Sequence, residues 1–477
     1  MKNQIEISEN IRKSFRDFFK IYNHIEVPSS SLIPRDDPTL LFTNSGMVQF
    51  KNYFTGQENP VDKNIISIQK CLRAGGKHND LENVGKTPRH HTFFEMLGNF
   101  SFGEYFKNEA IEMAWSFLTK ELDIDKKRLI VTHHKEDKDS QKIWKKISGF
   151  SKEKIISIES DDNFWSMGDT GPCGPCSEIF FDNGEKLSGG LPGTKNQDGN
   201  RYVEIWNLVF MQYQKNKSGL EKLQKKCVDT GMGLERITAV LSGKNNNYET
   251  DLFDFVFTDV EKNIGTRMTK KNEIPFRVIS DHIKSICMLM CEGIIPSNEG
   301  RGYVLRRIIR RAIVQSNKIK KGEIFLHKLV KAVIDKYSKD YFELKKSQKF
   351  IEENLKNEEV KFSETLLTGL SILNDEINKK KPKQLSAELA FKLYDTYGFP
   401  VDVTHNILTE KGIKLDIDQY LEVVKKNKER QKNSWTGSGE KSSNKFFLKL
   451  KNLVKKTEFV GYNKTQTKAE LLCIIND

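Results

Sequence analysis

Two short stretches of the 477-residue chain set cations beside glycines in a way that suits phosphate. In CLRAGGKHNDLENVGK (71–86), Arg73 and Lys77 stand on either side of a glycine pair. The glycines let the backbone approach a ligand, a guanidinium forks onto phosphate oxygens, and an ammonium adds a point charge. No Gly-Lys-Ser/Thr opens a helix here, so this is not a Walker loop. Taken alone, the stretch reads more readily as a solvated turn beside core phenylalanines. In VDTGMGLER (228–236), Gly231 and Gly233 follow a strand-like residue and lead into a helix beginning ITAVL. Arg236 then projects from the first helical turn, within reach of a triphosphate tail, and Asp229 is an acceptor for an ammonium group. A glycine-rich strand-to-helix turn with an Asp cap and a Glu–Arg surface pair accounts for the same residues.

Two further stretches carry candidate ligands. GPCGPC (171–176) holds Cys173 and Cys176, but a lone C-x-x-C supplies two of the four ligands that a structural zinc takes. No second C-x-x-C or His-x-x-x-His follows, and the prolines and glycines predict a rigid turn between strands instead. In RGYVLRRIIRRAI (301–313), Leu305, Ile308, Ile309, Ala312 and Ile313 recur at spacings of three and four and mark a buried helix face. Arg306, Arg307, Arg310 and Arg311 are therefore expected together on the opposite face, as a stripe suited to tracking phosphates.

These residues need a scaffold. IISI (65–68), RLIVT (128–132), CSEIFF (176–181) and YVEIWNLVFMQY (202–213) read as strands, with helical stretches near the N-terminus and around 108–119. Strands and helices do not alternate regularly, so an α+β domain with an antiparallel sheet is expected over 1–244. Residues 245–437 read as mainly helical. Ser280 is expected to cap a helix in SDHIKSICMLM, and Phe362, Leu366, Leu370, Leu373 and Ile377 mark a longer one over 350–379. SWTGSGEKSSNK (434–445) reads as a linker, and 438–477 as linker plus the start of a further β-rich domain.

Composition bounds the partners. The formal charge of +13 favours a polyanion, although lysine is abundant along the whole chain. The N-terminus has no continuous apolar core, and the apolar run ICMLMC (286–291) is too short to cross a bilayer. Seven scattered cysteines form no disulfide framework. A cytoplasmic protein without membrane association is expected.

The two glycine–arginine stretches taken together resemble the second and third motifs of class II aminoacyl-tRNA synthetases. The blocks LFTNSGMVQFKNYF, CLRAGGKHNDLENVGKTPRHHTFFEMLGNFSFGEYF, NFWSMGDTGPCGPCSEIFFD, EIWNLVFMQY, VDTGMGLERI, PSNEGRGYVLRRIIRRA and LYDTYGFPVDVT resemble, in order, the alanyl-tRNA synthetases within that class. They span residues 41–404. The resemblance implies the class II antiparallel sheet flanked by helices, followed by a helical domain that recognises the tRNA acceptor stem. It implies activation of alanine with ATP and Mg²⁺, through an alanyl-adenylate, and transfer to tRNA(Ala). Arg73 and Arg236 are then the catalytic arginines, with Lys77 over ATP and Phe93 or Phe94 holding the base. Asp229 takes the alanine ammonium, Asn207 and Gly231 line its pocket, and Trp165 walls it. Asn298 and Asp395 read the acceptor stem, while Arg306, Arg307, Arg310 and Arg311 position its backbone. Members of the family continue into an editing domain with His-x-x-x-His zinc ligands, whereas none of the nine histidines here forms such a pair. Editing and zinc are therefore not expected, and a monomer is. An RNA-binding paralogue without catalysis is disfavoured by the intact Arg73, Asp229 and Arg236. A ligase acting on a non-tRNA acceptor is disfavoured by Asn298, Asp395 and the arginine stripe.

Overall fold

The apolar spacing Ile11, Phe15, Phe18, Phe19 at the N-terminus makes one helix face, and those four residues are buried. A computed structural model describes residues 6–434, apart from 35–36, 38–39, 76–77, 168–169 and 381, together with 464 and 466–471. The linker expected over 434–445 therefore lies outside the described residues from 435 onward, as does most of the β-rich segment expected over 438–477. The strands of the first part are β1 (Ile25–Glu26), β2 (Asn64–Leu72), β3 (Ala74–Gly75), β4 (His78–Asn79), β5 (Phe93–Phe102) and β6 (Leu129–His134). They continue with β7 (Ile155–Ile158), β8 (Phe164–Ser166), β9 (Gly171–Asp182), β10 (Tyr202–Asn216) and β11 (Gly219–Gly233). Among the described residues nine of them form one sheet, in the order β1-β2-β5-β11-β10-β9-β6-β7 with β8 beside β9, while β3 and β4 pair as a separate hairpin. The central pairings are antiparallel, and the two outermost, β1–β2 and β6–β7, are parallel. The expected α+β architecture is present.

Alternation along the strands gives the sheet two different faces. On one, Phe93, Leu97, Trp206, Leu208 and Phe210 are fully buried. Trp206 there meets Phe15, Phe19 and Phe117, and burying each such ring is worth about 1.5–3 kcal/mol. The other face is roofed over only part of its length. Met47, Phe50 and Phe54 cover Phe100, Cys176, Val209, Met211 and Cys227, leaving the opposite ends of the central strands open.

The helices are α1 (Ile7–Ile21), α2 (Lys51–Phe54), α3 (Lys107–Ser116), α4 (Lys138–Ser148), α5 (Leu234–Leu241), α6 (Asp254–Ile264) and α7 (Glu273–Cys291). Then come α8 (Gly300–Ile319), α9 (Val330–Tyr337), α10 (Glu343–Lys380), α11 (Ala387–Asp395), α12 (Val401–Glu410) and α13 (Ile417–Ser434). The chain divides into two compact units, Met1–Leu367 and Thr368–Asp477. In the second, Leu385, Ala390, Leu393, Phe399, Leu408 and Leu415 form the core.

Two local expectations fail. Ser280 is not a cap: α7 begins two turns earlier, at Glu273, and the buried Ser280 hydroxyl donates to the carbonyl of Arg277 (3.0 Å). GPCGPC is not a turn but the first half of β9. Its glycine marks a close approach instead, because a Cβ at Gly174 would lie 1.9 Å from the Phe210 carbonyl oxygen on β10. Three residues apart on a strand, Cys173 and Cys176 point to opposite faces, so they do not converge on a metal.

Candidate functional site

The unroofed part of the sheet is the floor of a cleft of about 680 Å³. β2 delivers Arg73 to its rim, where the Arg73 amide donates to the Thr92 carbonyl (2.8 Å) and Nε donates to that of Asn44 (3.1 Å). The segment 73–92 leaves the sheet at that point and returns into β5. Register then decides between the two phenylalanines. Leu72 pairs with Phe93 and Cys71 with Phe94, so successive rings face opposite sides of the sheet. Phe94 lines the cleft with the Arg73 guanidinium 5.0 Å from its ring centre, whereas Phe93 is fully buried, edge-on to Tyr337. A flat apolar surface under a cation is equipment for a nucleobase next to phosphate.

The far wall is the β11–α5 junction. Gly231 and Gly233 line the cleft, and a Cβ on Gly231 would sit 2.8 Å from the Met96 sulfur, so glycine there allows the two strands to pack. Arg236, in the first turn of α5, donates Nη1 to the Glu204 carbonyl (2.8 Å) and to the Glu204 carboxylate (3.0 Å). Arg89 shares both this cleft and an adjoining one of about 750 Å³, its Nη1 donating to the carbonyl of Gly199 (2.7 Å) and to Asn200 Oδ1 (2.8 Å). Arg73, Arg89 and Arg236 thus converge from three elements. Burial and the neighbouring arginines push the His90 imidazole down to about 4, so it stands neutral among them.

Further along the same sheet face lie the remaining candidates. Asn207 pairs with Gly231, and Val209 with Asp229, on neighbouring strands. Asn207 Nδ2 donates to Glu178 Oε1 (3.2 Å), while its buried Oδ1 has no partner among the described residues. Burial and then Glu204 hold the Glu178 carboxyl well above the ordinary range. Asp229 is 8% exposed, and desolvation pushes its carboxyl up to about 8. Among the described residues no group forms a hydrogen bond or ion pair with that carboxylate. Trp165 on β8 packs against the cluster that contains Val209 and Cys176, next to Asp229 in the sheet. Arg73, Phe94, Gly231 and Arg236 therefore line one cleft, and Asn207, Asp229 and Trp165 lie beyond Gly231 rather than in its lining. Lys77 lies outside the described residues.

Arg89, His90, Glu178 and Glu204 complete the site without having stood out in the sequence. Arg89 and His90 sit in TPRHHTFF, where a basic run at the return of a phosphate-suited loop was the available signal. Glu204 had none, since a lone carboxylate in an apolar strand is recognisable only once Arg236 is seen beside it.

The helical candidates are mixed. Leu305, Ile308, Ile309, Ala312 and Ile313 are buried as their spacing requires. Arg306 and Arg310 each reach Glu358 (3.1 and 3.2 Å), and Arg307 reaches Glu82 (2.9 Å), all three half-buried. Arg306 also donates to the side-chain oxygen of the exposed Asn298. Arg311 departs from the stripe: it is 8% exposed and turned inward. Seven residues along an α-helix return to within about 20° of the same direction, so position 311 shares the heading of the buried Val304, at the edge where the arginine stripe meets the core. Asp395 is exposed at the end of α11 in the second unit.

The chain matches the family described as tRNA synthetases class II (A) over residues 10–477. It is 50% identical to an alanine–tRNA ligase of Rickettsia felis over 472 residues, 98% of this chain and 54% of that protein. Identity and coverage are the same against an alanine–tRNA ligase of Rickettsia massiliae. The chain thus spans about half the length of the curated relatives it matches. Among solved structures, a pyrrolysyl-tRNA synthetase from Desulfitobacterium hafniense overlaps 52% of this chain and 73% of its own, at 11% identity and a TM-score of 0.31, too slight to carry an argument.

Proposed function

The chain belongs to the tRNA synthetases class II (A), and from that premise we propose that it activates alanine with ATP and transfers it to tRNA(Ala). The observation that carries this is the convergence of Arg73, Arg89 and Arg236 with Phe94 in one cleft, with a buried carboxyl, Asp229, that pairs with no cation among the described residues, further along the same sheet face. Phe94 takes the adenine. Arg73 meets the α-phosphate and the alanine carboxylate, and Arg89 and Arg236 take the outer phosphates. The ammonium of alanine pairs with Asp229, and Trp165 with Val209 closes the methyl end. In the first step an alanine carboxylate oxygen attacks the α-phosphorus in line, and the bond to the bridging oxygen breaks to release pyrophosphate. In the second, the terminal ribose hydroxyl of tRNA attacks the alanyl carbonyl carbon, the bond from that carbon to the phosphate oxygen breaks, and AMP leaves with the hydroxyl proton passing to its phosphate. Both steps accumulate negative charge on the transferring centre, which arginines fixed by Asn44, Glu204 and Gly199 meet without rearranging the backbone.

Glu178, Glu204 and the Oδ1 of Asn207, which has no partner among the described residues, are oxygen donors of the kind Mg²⁺ takes beside a polyphosphate. When bound, the ion supplies charge neutralisation for the departing pyrophosphate. On the helical side, Asn298 and Asp395 read the acceptor stem, and Arg306, Arg307 and Arg310 set its backbone. Arg306 orients the Asn298 amide so that its N–H groups are left for a base edge. These residues adenylate and transfer; hydrolysis of mischarged tRNA is not assigned to them. The cytoplasm is the location this reading gives the reaction. Among the described residues no helix is long and apolar enough to cross a membrane.

The test is alanine-dependent exchange of pyrophosphate into ATP, with Arg73→Ala and Asp229→Ala beside wild type. Exchange in wild type that is lost in both variants supports adenylation at this cleft. No exchange with alanine overturns it.

A further inference from the structure

The segment 73–92 carries Arg73, Arg89 and His90 on its cleft side, and its outer side is held by the helical part of the same unit. Gly85, at φ +82°, packs so closely on α7 that an added Cβ would lie 2.5 Å from the Val278 side chain. The Tyr248 hydroxyl accepts from the Gly85 amide (3.3 Å) and donates to the His90 carbonyl (3.2 Å). On α8, Arg307 pairs with Glu82 (2.9 Å), and Arg311 donates Nη2 to the Val84 carbonyl (3.1 Å).

Arg311 has a second attachment. Its Nη1 lies 3.1 Å from His282 Nε2, and His282 Nδ1 lies 2.9 Å from Asp281 Oδ2. A guanidinium only donates and a carboxylate only accepts, so one imidazole form satisfies both: neutral, with its proton on Nδ1. Burial and the nearby Arg311 lower the His282 pKa, in keeping with that form. Asp281 in turn accepts from the Thr92 amide (3.0 Å) and hydroxyl, and lies 3.3 Å from His91 Nδ1. All four side chains of this chain of contacts, Arg311, His282, Asp281 and Thr92, are buried. Thr92 is the residue whose carbonyl fixes the Arg73 amide.

We propose that Arg311 is a positioning residue of the nucleotide cleft rather than part of the RNA-facing stripe: it fastens segment 73–92 directly at Val84 and, through His282 and Asp281, at Thr92. The assignment rests on the adenylation proposed above. Because it sets the register of Arg73, Arg89 and His90 toward the nucleotide, its loss appears in ATP use even when no tRNA is present.

Pyrophosphate exchange needs no tRNA, so it separates the two roles. Arg311→Lys keeps the charge but replaces the planar fork, whose two separate nitrogens meet the His282 ring and the Val84 carbonyl, with a single nitrogen on a shorter side chain. In tRNA-free exchange it is expected to raise KM for ATP about tenfold, the scale of one lost charge-assisted hydrogen bond, with KM for alanine within about twofold of wild type. A merely structural role would lower the melting temperature without this split between ATP and alanine. Glu82→Gln loosens the same segment from a half-exposed side chain that the fold does not depend on, and is expected to raise KM for ATP about twofold; it decides the matter if Arg311→Lys does not fold. Wild-type KM for ATP in the variants that fold, with KM for tRNA raised instead, overturns the proposal and returns Arg311 to the stripe. Absence of alanine-dependent exchange in wild type overturns the adenylation itself, and this assignment with it.

Discussion

Alanine should bind this protein more tightly as pH rises, because Asp229 must be ionised to hold an ammonium group. Desolvation pushes its carboxyl up to about 8, so the ligand-free site is mostly neutral at pH 7. The ionised fraction is about 1% at pH 6 and about one half at pH 8, and apparent affinity scales with the competent fraction. KM for alanine is therefore expected to fall about 50-fold from pH 6 to pH 8 and to level off above about pH 9. Exchange would be measured with ATP saturating, since Glu235, pushed to about 7 by burial, lines the cleft proposed to take ATP and titrates in the same range. Cys176, close to Asp229 across the sheet, stays neutral throughout because burial raises it. The same shift has a stability consequence of defined sign. A carboxyl raised from 3.8 to about 8 on folding contributes stability that is complete below its unfolded value and is lost as pH rises through the folded value. Asp229→Asn removes that dependence. The stability of the Asn variant relative to wild type should thus improve by about 3 kcal/mol between pH 5 and pH 7.5, read from urea unfolding, while its exchange activity collapses. A KM for alanine that stays flat from pH 6 to pH 8 would refute the reasoning. So would a wild-type-to-variant stability gap that is the same at both pH values.

Arg73→Ala and Arg236→Ala should each lower kcat for exchange about 100- to 1,000-fold, the usual cost of removing a fixed transition-state donor; steady-state exchange kinetics check this. Phe94→Ala should raise KM for ATP by about tenfold or more through lost stacking, with little change in unfolding midpoint. Phe93→Ala should do the reverse, costing about 3–5 kcal/mol of stability as a core truncation while the surviving folded protein keeps its KM for ATP. Glycine and serine should both be activated, with glycine discriminated by only about 10- to 200-fold, because one missing methyl is worth about 1–3 kcal/mol; amino-acid-dependent exchange with each gives the ratio.

The extent to which this was legible in the sequence varies with the kind of residue. The strands around 65–68 and 202–213 were visible because apolar runs of that length in β-rich residues have few other uses. Arg236 at a helix start followed from glycines preceding a periodic run. The choice between Phe93 and Phe94 could not be made, since it depends on which face of β5 meets the cleft, and that is set by pairing with β2. GPCGPC misled because proline and glycine signal a turn locally, whereas here the glycine answers to a carbonyl on a strand far away in sequence. Arg311 misled because adjacent arginines on a helix look equivalent until a buried histidine is seen beside one of them.

The burial of the thiols in β9 gives the protein a built-in gauge of its own opening. Cys173 and Cys176 have essentially no exposed surface and raised pKa values, so neither offers a reactive thiolate to an alkylating reagent in the closed sheet. Labelling at these two sulfurs must await local opening, at Cys176 by withdrawal of the Met47, Phe50 and Phe54 roof or of a neighbouring strand, and where reclosing is faster than labelling the rate reports the free energy of that opening. Ligands that seat on the sheet face should slow the labelling in proportion to how tightly they hold it shut.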